Sequence, residues 1–265
     1  MPDTATPTTP EDPINDTPMP LLSHLTELRT RLLWSMVAFM ACFGVCYYFS
    51  RNIYSFLAQP LADILITQGA NRRLIYTALY EAFFTYLKVS FFGAAFLAFP
   101  VIATQLYMFV APGLYRSEKR AFLPFLLATP VLFVAGSALA YYFVFPAAWS
   151  FFLSFESVDG AGGLPVQLEA KVSEYLGLVM KLIFAFGLAF QLPVLLTLLA
   201  KVGIISAAGL KKYRRYAYVG MFIIAAIITP PDVITQTGLA IPLIILYEIS
   251  ILTAGWVQPK PAPDA

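Results

Sequence analysis

Charged residues are scarce in this chain. Only 12% of its 265 residues are Asp, Glu, Lys or Arg, while 59% belong to the set AVILMFWYC, where soluble domains run at about 45–50% apolar. A single water-soluble core cannot hide that much apolar surface, so the excess must face lipid. Histidine is almost missing. Its one instance, His24, precedes the first apolar run, which removes the Ser/His pair and the His-Glu-x-x-His site that membrane hydrolases place within their spans. Cysteine is limited to Cys42 and Cys46, four apart inside one apolar segment, and neither a disulfide nor a metal site is expected from them. Neither a phosphate-cradling Gly-rich lysine loop nor a dinucleotide fingerprint occurs. No cofactor is therefore expected, and either any energy source is external or the role is recognition.

What is present is a series of long apolar runs. Leu32 to Phe49 is long enough, at about 1.5 Å per residue, to cross a hydrocarbon core of ~30 Å. Ala82 to Val110 is the second run, interrupted by Lys88 and Pro100, and Ala121 to Trp149 the third, with Pro124, Pro130 and Pro146. Tyr175 to Ala200, containing Pro193, is the fourth. Tyr216 to Thr229 and Val233 to Tyr247, the latter before Glu248, are shorter. Proline frees the carbonyl four residues upstream and bends a helix, so kinked spans around a concavity are expected. The reading is an all-α polytopic membrane protein with six spans, the fifth and sixth short. The hairpin Thr229-Pro230-Pro231-Asp232 is expected below the outer surface, thinning the bilayer there. Arg51 to Tyr80 and Ser154 to Ser173 read as outer loops.

Lys and Arg are unevenly shared between the two sides. Arg29, Arg31, Arg116, Lys119, Arg120, Lys201, Lys211, Lys212, Arg214, Arg215 and Lys260 fall on one side, against Arg51, Arg72, Arg73 and Lys171 on the other, which makes both termini cytoplasmic. A formal net charge of +2 gives no reason to expect a nucleic-acid partner. Residues 1–20 carry six prolines and four acids and read as a disordered tail. Residues 21–256 form the membrane domain and 257–265 a second tail. No internal repeat is visible, which weakens a two-halved solute transporter as an alternative.

Several polar residues stand out. Glu27 and Glu118 are each the only acid in a basic cytoplasmic neighbourhood, a pattern suited to gripping a guanidinium through a two-pronged fork. Glu27 and Arg31, spaced i,i+4, equally suit an ion pair on a solvated helix. Asp232 and Gln236 lie one turn apart at the start of the sixth span, where Asp232 either caps that helix or serves as an intramembrane functional acid. Gln191 precedes Pro193 and is positioned to bond a carbonyl which that proline frees. Lys88 and Lys181 sit about 9 Å inside outer span ends, where snorkelling to the interface is favoured over a proton or ion pathway. Glu248 has a similar interfacial position.

The stretch Leu22-Ser23-His24-Leu25-Thr26-Glu27-Leu28-Arg29-Thr30-Arg31-Leu32 resembles the amino-terminal signature of the TatC family, the receptor subunits of the twin-arginine protein translocase. Phe109-Val110-Ala111-Pro112-Gly113-Leu114-Tyr115, followed by Arg116 and Glu118, is similar to a second family stretch. Tyr142-Phe143-Val144-Phe145-Pro146 and Thr229-Pro230-Pro231-Asp232 with Gln236 resemble two more, and the order and membrane side of each agree. The resemblance implies a glove-shaped six-span receptor, not an enzyme, in the bacterial cytoplasmic (inner) membrane. It would bind signal peptides bearing consecutive arginines and help export folded proteins using the proton gradient. It further implies that Glu27 and Glu118 face the two arginines, with Arg29, Leu32, Phe109, Leu114 and Arg116 shaping the site. Gln191, Asp232 and Gln236 map to the concave embedded surface, single-span TatA and TatB partners pack along spans five and six, and the receptor self-associates. Pro60 in the first outer loop matches a sensitive family position. Many relatives place Glu where Gln191 stands, and Arg116 replaces a lysine of some members.

Overall fold

The computed structural model describes residues 21–67, 74–110, 119–156 and 168–258. Those residues are almost wholly helical, and five of their helical stretches are long and apolar enough to cross a membrane. Helix α1 (Leu21–Tyr48) is followed by α2 (Ser50–Thr67) and α3 (Glu81–Val110). Span three is α4 (Lys119–Leu139), a π-helical turn (Ala140–Val144) and α5 (Phe145–Leu153). Span four is α6 (Val172–Ala189) with α7 (Leu192–Lys201). A short α8 (Ala207–Lys212) leads to α9 (Arg214–Ile228) and α10 (Val233–Val257), spans five and six.

Prolines set the irregularities. Pro146 can neither donate to Tyr142 nor fit its ring against that turn, and the chain widens into the π turn just before it. Pro193 acts likewise in span four, where Phe190 and Gln191 interrupt the helix and Pro193 starts the next one. Kinking was expected at these places; the structure shows a π turn before Pro146 and a two-residue interruption of the helix before Pro193.

Two expectations are corrected. The stretch Arg51 to Tyr80, read as a polar connection, contains the 18-residue helix α2 with Pro60 inside it. This helix is held by apolar packing, since Leu57 and Leu61 are buried in the main core. The sixth helix does not stop at Glu248 but continues to Val257, 25 residues in all, and the carboxylate has partners on span five, described below. The fifth is short, at 15 residues.

The core lies between α2, span three, α6, α9 and α10, around Ala140, Phe145, Leu182, Phe186, Leu239 and Leu243. A second cluster of Phe99, Tyr107, Phe133, Val194 and Leu198 lies between α3, α4 and α7. Small residues allow α4 and α6 to approach closely. A Cβ at Gly187 would come within 2.6 Å of the Phe133 ring, and one at Gly136 within 2.5 Å of the Phe186 carbonyl. The segments that precede α3 and α6 are tied together: Ile75 donates to the Ala170 carbonyl at 3.1 Å, and Val172 donates to that of Ile75 at 2.9 Å. Glu81 reinforces the tie, accepting from the backbone N–H of Thr77 at 2.9 Å and of Ser173 at 3.3 Å.

Candidate signal-receptor site and embedded polar groups

Helix α1 packs along α3, with Phe39 edge-on to Phe91 and Cys46 against Gly93. Their opposed directions bring the start of α1 and the end of α3 to one membrane face. Glu27, Arg29, Leu32 and Phe109 therefore share that face. Arg31 engages a single Glu27 oxygen, Oε1, through both Nε, at 3.2 Å, and Nη2. The pair is well covered, with side-chain exposures of 17% for Arg31 and 22% for Glu27, unlike an ion pair decorating a solvated helix. Arg29 is exposed, and so is Leu32 at 61%. An apolar side chain standing out beside a covered carboxylate is what a peptide with both charged and apolar parts can dock on. Leu114, Arg116 and Glu118 lie outside the described residues.

Gln191 is buried where span four breaks, but its partners differ from the expected one. Instead of a carbonyl freed within its own span, its Nε2 donates to the Thr129 carbonyl of α4 at 3.0 Å. The Tyr107 hydroxyl of α3 donates to its Oε1 at 3.5 Å. One amide thus ties spans two, three and four together. Sequence gives the polarity of Gln191 but not the facing helices, and nothing in the spacing singles out Tyr107 or Thr129.

Asp232 caps α10. Its Oδ1 accepts from the Thr235 N–H at 2.7 Å, and Oδ2 accepts from the Thr235 hydroxyl. Both residues are buried. Gln236, one turn further, is half-buried, and its side chain makes no hydrogen bond among the described residues. Thr197 of α7 meets Thr253 of α10 at 2.6 Å, which levels the two helices.

Where α9 begins, against the second half of α10, lies a cluster that the sequence did not reveal. Arg214 donates to Glu248 Oε2 at 2.8 Å, the Tyr218 hydroxyl donates to Oε1, and Tyr247 donates to the Leu210 carbonyl at 2.8 Å. Pro60 is buried inside α2. Among the described residues no three His, Cys, Asp or Glu side chains gather as a metal would require.

The sequence matches the family model described as "Sec-independent protein translocase protein (TatC)" over residues 23–242. The chain belongs to the TatC family. It is 52% identical to the Sec-independent protein translocase protein TatC of Magnetococcus marinus over 92% of this chain and 86% of that one. Its identity to the TatC of Rickettsia prowazekii is 50%, covering 89% and 92% respectively. A crystal structure titled "Twin Arginine Translocase Receptor- TatC" superposes with a TM-score of 0.72 at 40% identity, over 87% of this chain and 97% of that one. As a TatC-family member this is a multi-pass membrane protein and a component of a protein translocase, not an enzyme.

Proposed function

We propose that this chain is the receptor for twin-arginine signal peptides in a bacterial cytoplasmic membrane, with both termini on the cytoplasmic side. Glu27 and Glu118 engage the two arginines, and Leu32, Phe109 and Leu114 take adjoining apolar residues while Arg29 and Arg116 support the acids. The observation that carries this reading is the covered Glu27–Arg31 pair beside exposed Leu32, at the face where α1 and α3 end together. A carboxylate already sheltered from water forms stronger charge-assisted hydrogen bonds than one on an open helix. An incoming guanidinium exchanges with, or stacks beside, that of Arg31.

After capture, folded cargo crosses with the help of TatA- and TatB-type single-span subunits and the proton gradient. The exposed apolar face of α9, with Val219, Ile223, Ile224 and Ile227, supports docking along spans five and six. Half-buried Gln236 supplies a hydrogen-bonding group there, and Asp232 and Gln191 shape the embedded surface from within. The receptor also associates with copies of itself.

A photoreactive residue in place of Glu118 tests the site. It is expected to capture a precursor carrying paired arginines and to lose it when both become lysines, since Lys cannot form the fork. Glu118→Ala is expected to abolish export of a folded reporter with the receptor still present in the membrane. Normal export by that variant removes the assigned site.

A further inference from the structure

The outer halves of α3 and α6 enclose a groove of about 470 Å³ lined by Lys88, Phe91, Phe92 and Ala95 from one helix and Met180, Lys181 and Phe184 from the other. Snorkelling explains a single lysine near a span end. It does not explain why two lysines from different spans, distant in sequence, open into one groove. Both are exposed, and neither has an ion pair or hydrogen bond among the described residues. No carboxylate lies within a turn of either on its own helix: residues 84–92 and 177–185 contain no Asp or Glu. Glu81, two turns outward on α3, is bonded to Thr77 and Ser173. Glu174, two turns outward on α6, lines a different cavity with Trp149 and Tyr175.

Two unpaired cations lining one groove repel one another and call for an anion. Their depth says which kind. Helix α3 has 30 residues, and α6 with α7 spans as many, about 45 Å against a hydrocarbon core of ~30 Å. Centred on the core, each overhangs by about 7 Å, which places the Lys88 and Lys181 backbones roughly 3 and 6 Å inside the boundary. A lysine stem reaches back over that distance, so both ammonium groups lie near the plane of the lipid phosphates. Below them the groove is apolar, with Phe92 and Phe184 edge to face at 5.2 Å.

We propose that this groove is a binding site for one anionic phospholipid of the outer leaflet, its phosphate held between Lys88 and Lys181 and an acyl chain lying over Phe92, Ala95 and Phe184. A lipid phosphate is already at that depth, whereas a protein partner would have to bury a carboxylate to match it. The site is separate from the cytoplasmic face used for signal peptides and does not rest on that function.

Native mass spectrometry of the full chain in detergent tests it, using phosphatidylglycerol and phosphatidylcholine with identical acyl chains. The unaltered chain is expected to retain phosphatidylglycerol preferentially. Each basic residue near a lipid phosphate strengthens binding about fivefold, so Lys88→Gln with Lys181→Gln should weaken phosphatidylglycerol binding by about 25-fold and leave phosphatidylcholine unchanged. The double arginine variant should keep the preference. Ala95→Trp, which fills the groove without touching charge, should weaken both lipids alike, and a melting curve for each variant confirms that it is folded. Equal retention of the two lipids by the unaltered chain overturns the proposal, as does undiminished phosphatidylglycerol binding by the double glutamine variant. Carbodiimide coupling of either lysine to a protein carboxylate in native membranes also overturns it, because the groove then holds a protein.

Discussion

The Tyr141 hydroxyl donates to the carbonyl of Phe56 at 2.7 Å, and that carbonyl is the one which Pro60 leaves without its helical donor. The two rings also stack, 4.4 Å apart and 2° from parallel. Proline in the middle of α2 is thus compensated by a side chain from span three, which ties the outer helix to the membrane domain. Tyr175 adds a second tie to the next carbonyl, that of Leu57, at 3.1 Å.

Tyr141→Phe should therefore lower stability by about 1 kcal/mol, the usual net value of such a bond. Pro60→Ala restores an N–H to Phe56, so adding it should make the Tyr141→Phe loss smaller than in the parent. Thermal melts of the four proteins in detergent form the cycle. Equal losses in both backgrounds would show that the hydroxyl does not serve the carbonyl freed by Pro60.

This arrangement also shows what a single sequence can and cannot reveal. Long apolar runs, prolines and the Lys/Arg asymmetry are local or statistical, so the spans were legible with their kinks. Helix α2 was not, because Arg51, Asp63 and Pro60 read as loop residues. It is helical because Leu57 and Leu61 are buried against distant residues of spans three and four. At the candidate site, Glu27 with Arg31 follows from i,i+4 spacing. The company of Gln191 does not, since Thr129 and Tyr107 are 62 and 84 residues away and meet it only through packing.

Gln191→Leu removes a donor and an acceptor from that junction. The Tyr107 hydroxyl and the Thr129 carbonyl would lose a partner in a buried setting, at a cost of about 1–3 kcal/mol. Tyr107→Phe alone should cost less, given its long 3.5 Å bond. Combined with Gln191→Leu it should partly rescue, because no hydroxyl is then stranded. Simple additivity of the two losses would argue that the groups do not interact.

Asp232 offers a way to separate capping from charge. Asp232→Asn keeps an acceptor for the Thr235 N–H, whereas Asp232→Ala removes the cap, worth about 0.5–2 kcal/mol. If the cap is what the residue supplies, the Asn variant should melt near the parent and export a folded reporter normally, and the Ala variant should do neither. An Asn variant of unchanged stability that fails to export would instead assign the negative charge a role of its own.

Glu248 links the two helices whose outward faces are the proposed docking surface for single-span subunits. Its pair with Arg214 is partly exposed, with side-chain exposures of 35% and 45%, so its charge alone contributes under about 1 kcal/mol. Its geometric effect is larger. Arg214 and Tyr218 on α9 converge on one carboxylate of α10, which fixes how a 15-residue helix leans on a 25-residue one. Glu248→Gln retains an acceptor for Tyr218 and should leave co-purification of the partner subunits nearly unchanged. Glu248→Leu releases both contacts, lets α9 shift, and should reduce that co-purification severalfold while crosslinking to signal peptides at the cytoplasmic face persists. Full partner recovery with Glu248→Leu would mean that the docking face is set by the apolar packing of Met221 and Ala225, with the carboxylate cluster serving only the membrane interface.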